Sequence, residues 1–286
     1  MTSRQPTRIR TLQGTVWTTS DIAPARLRQL LADPVGLMHA YFHRPVKISH
    51  TAMIVQAELP LVGRGIAVAY KQYRPRNGWN GWLGRFRASA ARRTWRRAMI
   101  LETRKIATAR PLLLLEPSRG RFAASGASYL ATEWIPQAEN LHLYGWRLAD
   151  LPPAERFARA ARCAEAVGRL VGQMHAAGVS NRDLKGANVL LAENDGTPAA
   201  YLIDPDGVRL RRRLTRRRRA RELARLAVGL QAHRWASRTL CARFLRCYLA
   251  QQPRERAGEF AALWRMIARD AAAFARRMQR RGEAVL

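Results

Sequence analysis

Asp183, Lys185 and Asn188 fall within six residues, in the stretch VSNRDLKGANVLL. A carboxylate can orient an acceptor hydroxyl, an ammonium group can offset charge on phosphoryl oxygens, and amide or carboxylate oxygens can hold Mg²⁺. Those are the demands of moving a γ-phosphoryl group. A second carboxylate, Asp204, follows the short apolar run AAYLI, and upstream VAYK sets Lys71 near the end of another. Each part alone is weak. Asp-x-Lys occurs by chance, a strand-end lysine is ordinarily solvated, and Asp before Pro often starts a turn. All of them in this order, each on a suitable element, make phosphoryl transfer the better reading.

The elements that must position these residues are legible in the patterning. APARLRQLLAD suits a short helix ended by Asp33-Pro34. From Val46 the β-branched runs VKISHTAMIVQAEL and GIAVAYKQY read as strands around a turn in PLVGRG. RNGWNGWLGRF is a Gly- and Trp-rich loop, ASAARRTWRRAMILETRKI is helical, and ARPLLLLE and SYLATEWI are further strands. Pro136 breaks the pattern. PAERFARAARCAEAVGRLVGQMHAAG then keeps helical spacing from a first-turn proline to Gly178. After the Asp183 loop come a strand ending in Asp204, a basic segment, and helices in ELARLAVGLQAHRW, RTLCARFLRCYLA and EFAALWRMIARDAAAFARRM. The expected organisation is α+β: an N-terminal extension with a short helix over 1–34, a strand-rich lobe over 35–135, and a helical lobe over 136–286.

Composition narrows the classes. With 286 residues, 48% apolar and 25% charged, the chain is globular in character. No apolar run approaches the roughly 18–20 residues of a membrane span, and no apolar core follows the basic start MTSRQPTRIRTLQG, so a secretory signal is not expected. Three cysteines, Cys163, Cys241 and Cys247, lack metal-ligand spacing, and an odd number argues against a disulfide framework. The formal charge of +31 favours polyanions: nucleic acid, an anionic membrane or a phosphorylated glycolipid. Only four of the 51 basic residues are lysines, so arginine bias in a GC-rich genome is a competing origin of that charge.

A helix ending in Gly, a loop with Asp-x-Lys-x-x-Asn, a strand, and a second strand ending in Asp resemble the catalytic segments of protein kinases. In that frame Asp183 is the acceptor-side base, Lys185 faces the γ-phosphate, Asn188 and Asp204 bind metal, and Lys71 holds the α- and β-phosphates. More specifically, the chain resembles the lipopolysaccharide kinase family, which phosphorylates Kdo or heptose sugars of the inner core. The residues that carry the likeness are RPVKISHTAMIVQAEL, VAYKQYRPR, TARPLLLLE, ATEWIPQAENL, MHAAGVSNRDLKGANVLL, YLIDPDGVRLRRRLTRRRRARELARL and RFLRCYL, across roughly 35 to 250. The resemblance implies a bilobal protein-kinase-like fold, ATP with Mg²⁺, and a sugar hydroxyl on the inner-core glycolipid as acceptor. It also implies a cytoplasmic protein peripheral to the anionic inner membrane.

The chain departs from the protein-kinase pattern. Asn181 stands where those enzymes usually carry His, and no Gly-x-Gly-x-x-Gly precedes Lys71. Backbone donors or Thr51, in SHTAM, would have to meet the phosphates instead. DPDG replaces Asp-Phe-Gly; its Asp206 either assists the metal or serves the turn. Glu102 is the only acidic residue between Lys71 and Leu115, and is either the ion-pair partner of Lys71 or a surface glutamate late in its helix. If Glu133-Trp134-Ile135 is the hinge, the backbone of Glu133 and Ile135 would meet adenine. His175 reads as a packed, hydrogen-bonded residue. Trp79, Trp82 and Trp95 either cover a small core or meet a membrane interface.

Nine arginines crowd the thirteen residues Arg209–Arg221, directly after the metal-type Asp. Such a run repels itself unless a polyanion is near. Arg211, Arg212, Arg213, Arg216, Arg217, Arg218 and Arg219 are therefore candidates to grip acceptor or membrane phosphates, against the alternative of a solvated face. Competing functions are a kinase acting on protein or another small molecule, and a basic nucleic-acid-binding protein. The set of Lys71, Asp183, Lys185, Asn188 and Asp204 argues against the last.

Overall fold

Alternating apolar residues build an antiparallel seven-stranded sheet: β1 (Thr7–Thr11), β2 (Gly14–Thr18), β3 (Pro45–Ile48), β4 (Ala52–Leu61), β5 (Arg64–Tyr73), β6 (Pro111–Pro117) and β7 (Ser128–Glu133). Their spatial order is β1-β2-β6-β7-β5-β4-β3. The coordinates are a computed structural model that describes residues 5–48, 52–74, 88–118, 126–194, 196–233, 235–253 and 258–282. The chain divides into two compact units, Met1–Met99 with Ala109–Trp134, and Ile100–Thr108 with Ile135–Leu286.

In the first unit, every second residue of β4 from Met53 to Leu59 is buried, as a half-buried strand requires. That face meets Leu27, Leu30 and Leu31 of helix α1 (Pro24–Ala32) and Leu37 and Met38 of α2 (Pro34–Ala40). Asp33 ends the first helix and caps the second, accepting from the Gly36 amide at 2.8 Å. The opposite face is covered by the start of α3 (Ala90–Thr103), where Ala91 and Trp95 pack on Tyr73, Leu114 and Leu130. Trp95 thus belongs to the core, and its truncation to Ala would cost about 3–5 kcal/mol; Trp79 and Trp82 lie outside the described residues. Residues 7–18, expected in an extension beside the strand-rich lobe, instead form two strands of its sheet.

The second unit runs β8 (Glu139–Asn140), α4 (Leu141–Ala149), α5 (Pro153–Ala176), β9 (Val179–Asn181), β10 (Val189–Asn194), β11 (Thr197–Leu202), β12 (Val208–Leu210), α6 (Arg216–Leu230), α7 (Arg238–Leu249) and α8 (Glu259–Arg280). Its core forms around α5, whose Val167, Leu170, Val171 and Met174 pack with Leu245, Tyr248 and Leu249 of α7 and with Leu191 and Leu202 of the β10–β11 hairpin. Asn140, Thr215 and Ser237 cap α4, α6 and α7 through their side-chain oxygens. Helix α6 therefore starts at Arg216, six residues before the ELARL segment from which it is legible, because Thr215 supplies a cap and arginine is a good helix former. No helix among the described residues is long and apolar enough to cross a membrane.

Candidate active site

Strands β9 and β12 form a two-stranded ribbon, with Val208 opposite Asn181 and Leu210 opposite Val179. The chain leaves β9 at Asn181, passes Asp183 and Lys185, and makes a tight 3-10 turn over Gly186–Asn188 before β10. Asn181, fully buried, accepts from the Asp183 amide through Oδ1 at 3.0 Å. This local side-chain turn bends the chain so that Asp183 leaves the strand. The residue found at the usual histidine position thus has a role of its own.

Asn188 holds Asp183 from the other side. Its Nδ2 donates to the Asp183 carbonyl and to carboxylate Oδ2, both at 3.0 Å, from a position only 5% exposed. Lys185 Nζ stands 3.5 Å from the same Oδ2, with both side chains open to solvent. Asp183, Lys185 and Asn188 are therefore brought together as expected from their spacing. The loop carrying Asp204 is tied to this turn: Ile203 N–H donates to the Asn188 carbonyl at 2.9 Å, and Arg182 N–H to the Gly207 carbonyl at 3.2 Å. A Cβ on Gly207 would stand 2.6 Å from the Asp183 amide nitrogen, so the glycine of DPDG is required by close approach.

Asp204 does not end the strand; β11 stops at Leu202 and Asp204 takes a left-handed backbone, φ 50° and ψ 67°. That conformation is unfavourable for a non-glycine residue and is kept where surrounding contacts hold it. The Asn188 amide turns its NH₂ to Asp183, so its oxygen is not used in that contact, and Asp204 is a carboxylate on the loop tied to the same turn. This donor set suits Mg²⁺, which takes oxygen ligands.

Other candidates are placed separately. Lys71 lies in β5, an interior strand, opposite Leu130 of β7, and its Nζ sits 4.6 Å from the centroid of the Tyr73 ring. Glu102 is in the last turn of α3, half-buried. Thr51 lies outside the described residues. Glu133 N–H is committed to the Arg110 carbonyl and its carboxylate to Arg110 Nε, while Trp134 N–H donates to Ala67. The amides of Glu133 and Trp134 are thus both taken up by backbone carbonyls.

The arginine run divides. Arg211, Arg212, Arg213, Arg217 and Arg218 are exposed, but Arg216 and Arg219 both donate to Glu259 at the start of α8, at 3.1 and 3.0 Å. The Glu259 carboxyl is held below its ordinary value, first by the hydrogen bond from Arg216. Two of the seven arginines thus share one carboxylate within the protein.

Glu222 is the residue that patterning missed. It is buried on α6 and accepts from the Ser180 hydroxyl, from the Asn181 amide at 2.7 Å and from His175 Nε2 at 3.1 Å. Burial pushes its carboxyl up, but the hydrogen bonds from His175, Ser180 and Asn181 outweigh that, and the net shift is downward. His175 Nδ1 in turn lies 2.8 Å from the Tyr248 hydroxyl. A signal was available: Glu222 sits on the same buried stripe as Leu223 and Leu226, where an acid needs partners.

Residues 76–248 match the family described as lipopolysaccharide kinase (Kdo/WaaP). Over 202 residues the chain is 30% identical to the lipopolysaccharide core heptose(I) kinase WaaP of Pseudomonas aeruginosa, covering 68% of this chain and 72% of that protein. The structure is similar to one of WaaP in complex with acyl carrier protein, at 24% sequence identity and a TM-score of 0.55, over 87% of this chain and 97% of that one. That likeness shows the fold, and the α+β, kinase-like class expected from the sequence holds.

Proposed function

Because this chain belongs to the lipopolysaccharide kinase (Kdo/WaaP) family, and is a kinase of lipopolysaccharide core sugars, we propose that it transfers the γ-phosphoryl group of ATP to a hydroxyl of an inner-core heptose or Kdo residue. The observation that carries this reading is the grip of Asn188 on Asp183, which fixes one carboxylate oxygen and leaves the group partly open to solvent.

In this mechanism the acceptor hydroxyl donates its hydrogen bond to the Asp183 carboxylate, which orients the oxygen for in-line attack and takes its proton as the bond to phosphorus forms. Lys185, 3.5 Å from that carboxylate, offsets charge on the transferring phosphoryl oxygens. Lys71 is the cation proposed for the α- and β-phosphates, Glu102 the acid proposed for nucleotide binding, and the Ile135 amide the proposed donor to adenine. Asn188 and Asp204 would hold Mg²⁺, which when bound offsets phosphate charge. The acceptor is a glycolipid, so the enzyme works as a peripheral protein on the cytoplasmic face of an anionic membrane. Its charge of +31 and the exposed Arg211, Arg212 and Arg213 support that placement.

The test is phosphate transfer from ATP to purified inner-core lipopolysaccharide lacking core phosphate, read as a mass gain on the sugar. Asp183→Ala should lower kcat by roughly 10²–10⁴ and leave nucleotide binding largely intact. Asp204→Ala should lower both turnover and Mg²⁺-dependent nucleotide binding. Transfer to the sugar by the Asp183→Ala protein at the wild-type rate would sink the reading.

A further inference from the structure

Within the second unit, at the end of the β9–β12 ribbon opposite Asp183, is an open depression of about 540 Å³ lined by Arg104, Ala176, Ala177, Gly178, Leu210, Arg211 and Arg212. We propose that this depression binds a phosphate monoester of the acceptor glycolipid. The identity of the ligand rests on the kinase reading above; the existence of an anion site does not.

Three chain segments converge to build it. Arg104 follows the last turn of α3, which closes through Ile106 N–H to the Leu101 carbonyl and Lys105 N–H to the Glu102 carbonyl, with Lys105 at φ 55°. This is a helix stop usually given to glycine, here held by lysine. Gly178, at φ 74° after α5, accepts from the Arg211 amide at 2.8 Å, and a Cβ there would stand 2.8 Å from the Arg211 carbonyl oxygen. Glycine lets the two segments close, and so fixes where the Arg211 and Arg212 side chains begin.

The charge at the depression favours an anion. Among the described residues no acid lines it, and none of the described ion pairs involves Arg104, Arg211 or Arg212. Farther along the same run, Arg216 and Arg219 share the Glu259 carboxylate. The carboxyl end of α5 supplies about half a negative charge, enough to favour one cation and not three. Three arginines at one hollow favour an anion there, by an amount that solvent screening limits. Arginine matches phosphate oxygens in a planar fork, and Ala176, Ala177 and Leu210 add an apolar wall for the ligand's ring or chain. The volume lies in the usual range for ligand sites, roughly 300–1,000 Å³.

The position suits the acceptor. Two residue pairs, Arg209–Ser180 and Val208–Asn181, lie between Leu210 at the depression and the start of the catalytic loop, about 7 Å of strand. A phosphorylated glycolipid held here by one phosphate can present a hydroxyl to Asp183 from the same molecule.

The test is binding of the full chain to zwitterionic vesicles carrying purified lipopolysaccharide, without nucleotide. Arg104→Gln/Arg211→Gln/Arg212→Gln should bind on the order of a hundredfold more weakly. Arg265→Gln/Arg276→Gln/Arg280→Gln, with the same charge removed from exposed positions of α8, should lose only a few-fold, roughly the screened long-range share. Wild-type protein should lose a similar factor on enzymatically dephosphorylated lipopolysaccharide. Equal losses in the two triple variants would overturn the site, and an equal hundredfold loss on phosphatidylglycerol vesicles would make it a general anionic-lipid contact and overturn the glycolipid assignment. Titration of the folded wild type with inorganic phosphate, read at the arginine Nε–H resonances, gives an answer independent of any variant's folding. Arg104, Arg211 and Arg212 should shift together and Arg276 should not; no shift at the three would also overturn the proposal. Because no ATP is present, a chain that binds this way but fails to phosphorylate would sink the kinase reading and leave the site standing.

Discussion

Asn181 donates its backbone N–H to Oε2 of Glu222 at 2.7 Å, so helix α6 holds the strand that delivers Asp183. The same carboxylate takes the Ser180 hydroxyl and His175 Nε2. Removing it strands three buried donors, each costing about 1–3 kcal/mol when left unpaired. Glu222→Ala should therefore destabilise the protein by about 3 kcal/mol or more in urea unfolding. A loss below about 1 kcal/mol would show that the three donors find other partners.

The same group sets a pH dependence. Glu222 lies below its ordinary value in the folded protein, despite burial that pushes it up, because His175, Ser180 and the Asn181 amide favour the charged form. A carboxylate depressed on folding stabilises above its unfolded pKa of about 4.3, and that contribution drains away as pH falls through the lower folded value. The stability advantage of wild type over Glu222→Gln should be level from neutrality to about pH 5 and shrink below about pH 4. Unfolding midpoints across that range check it; an advantage that grows on acidification would contradict the assignment.

What was legible in the sequence follows from how local each interaction is. Asp183, Lys185 and Asn188 share one turn, so their spacing in the chain already fixes their meeting in space. Glu222 acts on residues about forty positions earlier, and Glu259 on Arg216 about as far away, so no local pattern announces either contact. Strands β1 and β2 were obscured because TRIRT carries arginine on alternate positions and lies at the sheet edge, where one face stays wet. That the Glu133 amide donates to the Arg110 carbonyl could not be read from the sequence, because the two residues lie on different segments.

Gly186 gives a sharper test of the catalytic turn. A Cβ at this position would stand 2.7 Å from His142 Nε2, and that imidazole is stacked on His233 with ring centroids 5.8 Å apart. The ring has little room to retreat, so Gly186→Ala should displace the turn and cost about 1–3 kcal/mol of stability. Because Lys185 and Asn188 flank it, kcat should fall by roughly 10- to 100-fold. Adding His142→Ala vacates the space and should recover part of kcat. Steady-state kinetics of the single and double variants decide the matter; a double variant no better than Gly186→Ala would mean that the imidazole is not what the methyl group meets.

Arg216 to Arg219 fill the first turn of α6, the positive end of its dipole, where cations are disfavoured. Glu259 offsets this by accepting from both Arg216 and Arg219, and is itself at the first turn of α8, where an acid is favoured. Glu259→Gln keeps the shape and removes the charge. It should destabilise by about 1 kcal/mol at low salt, a value kept small because the Arg216 head meets solvent. The deficit should narrow at high salt, since screening relaxes the repulsion among the four arginines that Glu259 otherwise offsets. Arg217→Gln, at an exposed position with no carboxylate partner among the described residues, should change stability by less than about 0.5 kcal/mol in either direction. Urea midpoints of both variants at two salt concentrations are the measurement. If Glu259→Gln were as stable as wild type at low salt, the arginines would have to be offset from outside the chain, and all seven would return as candidates for an external anion.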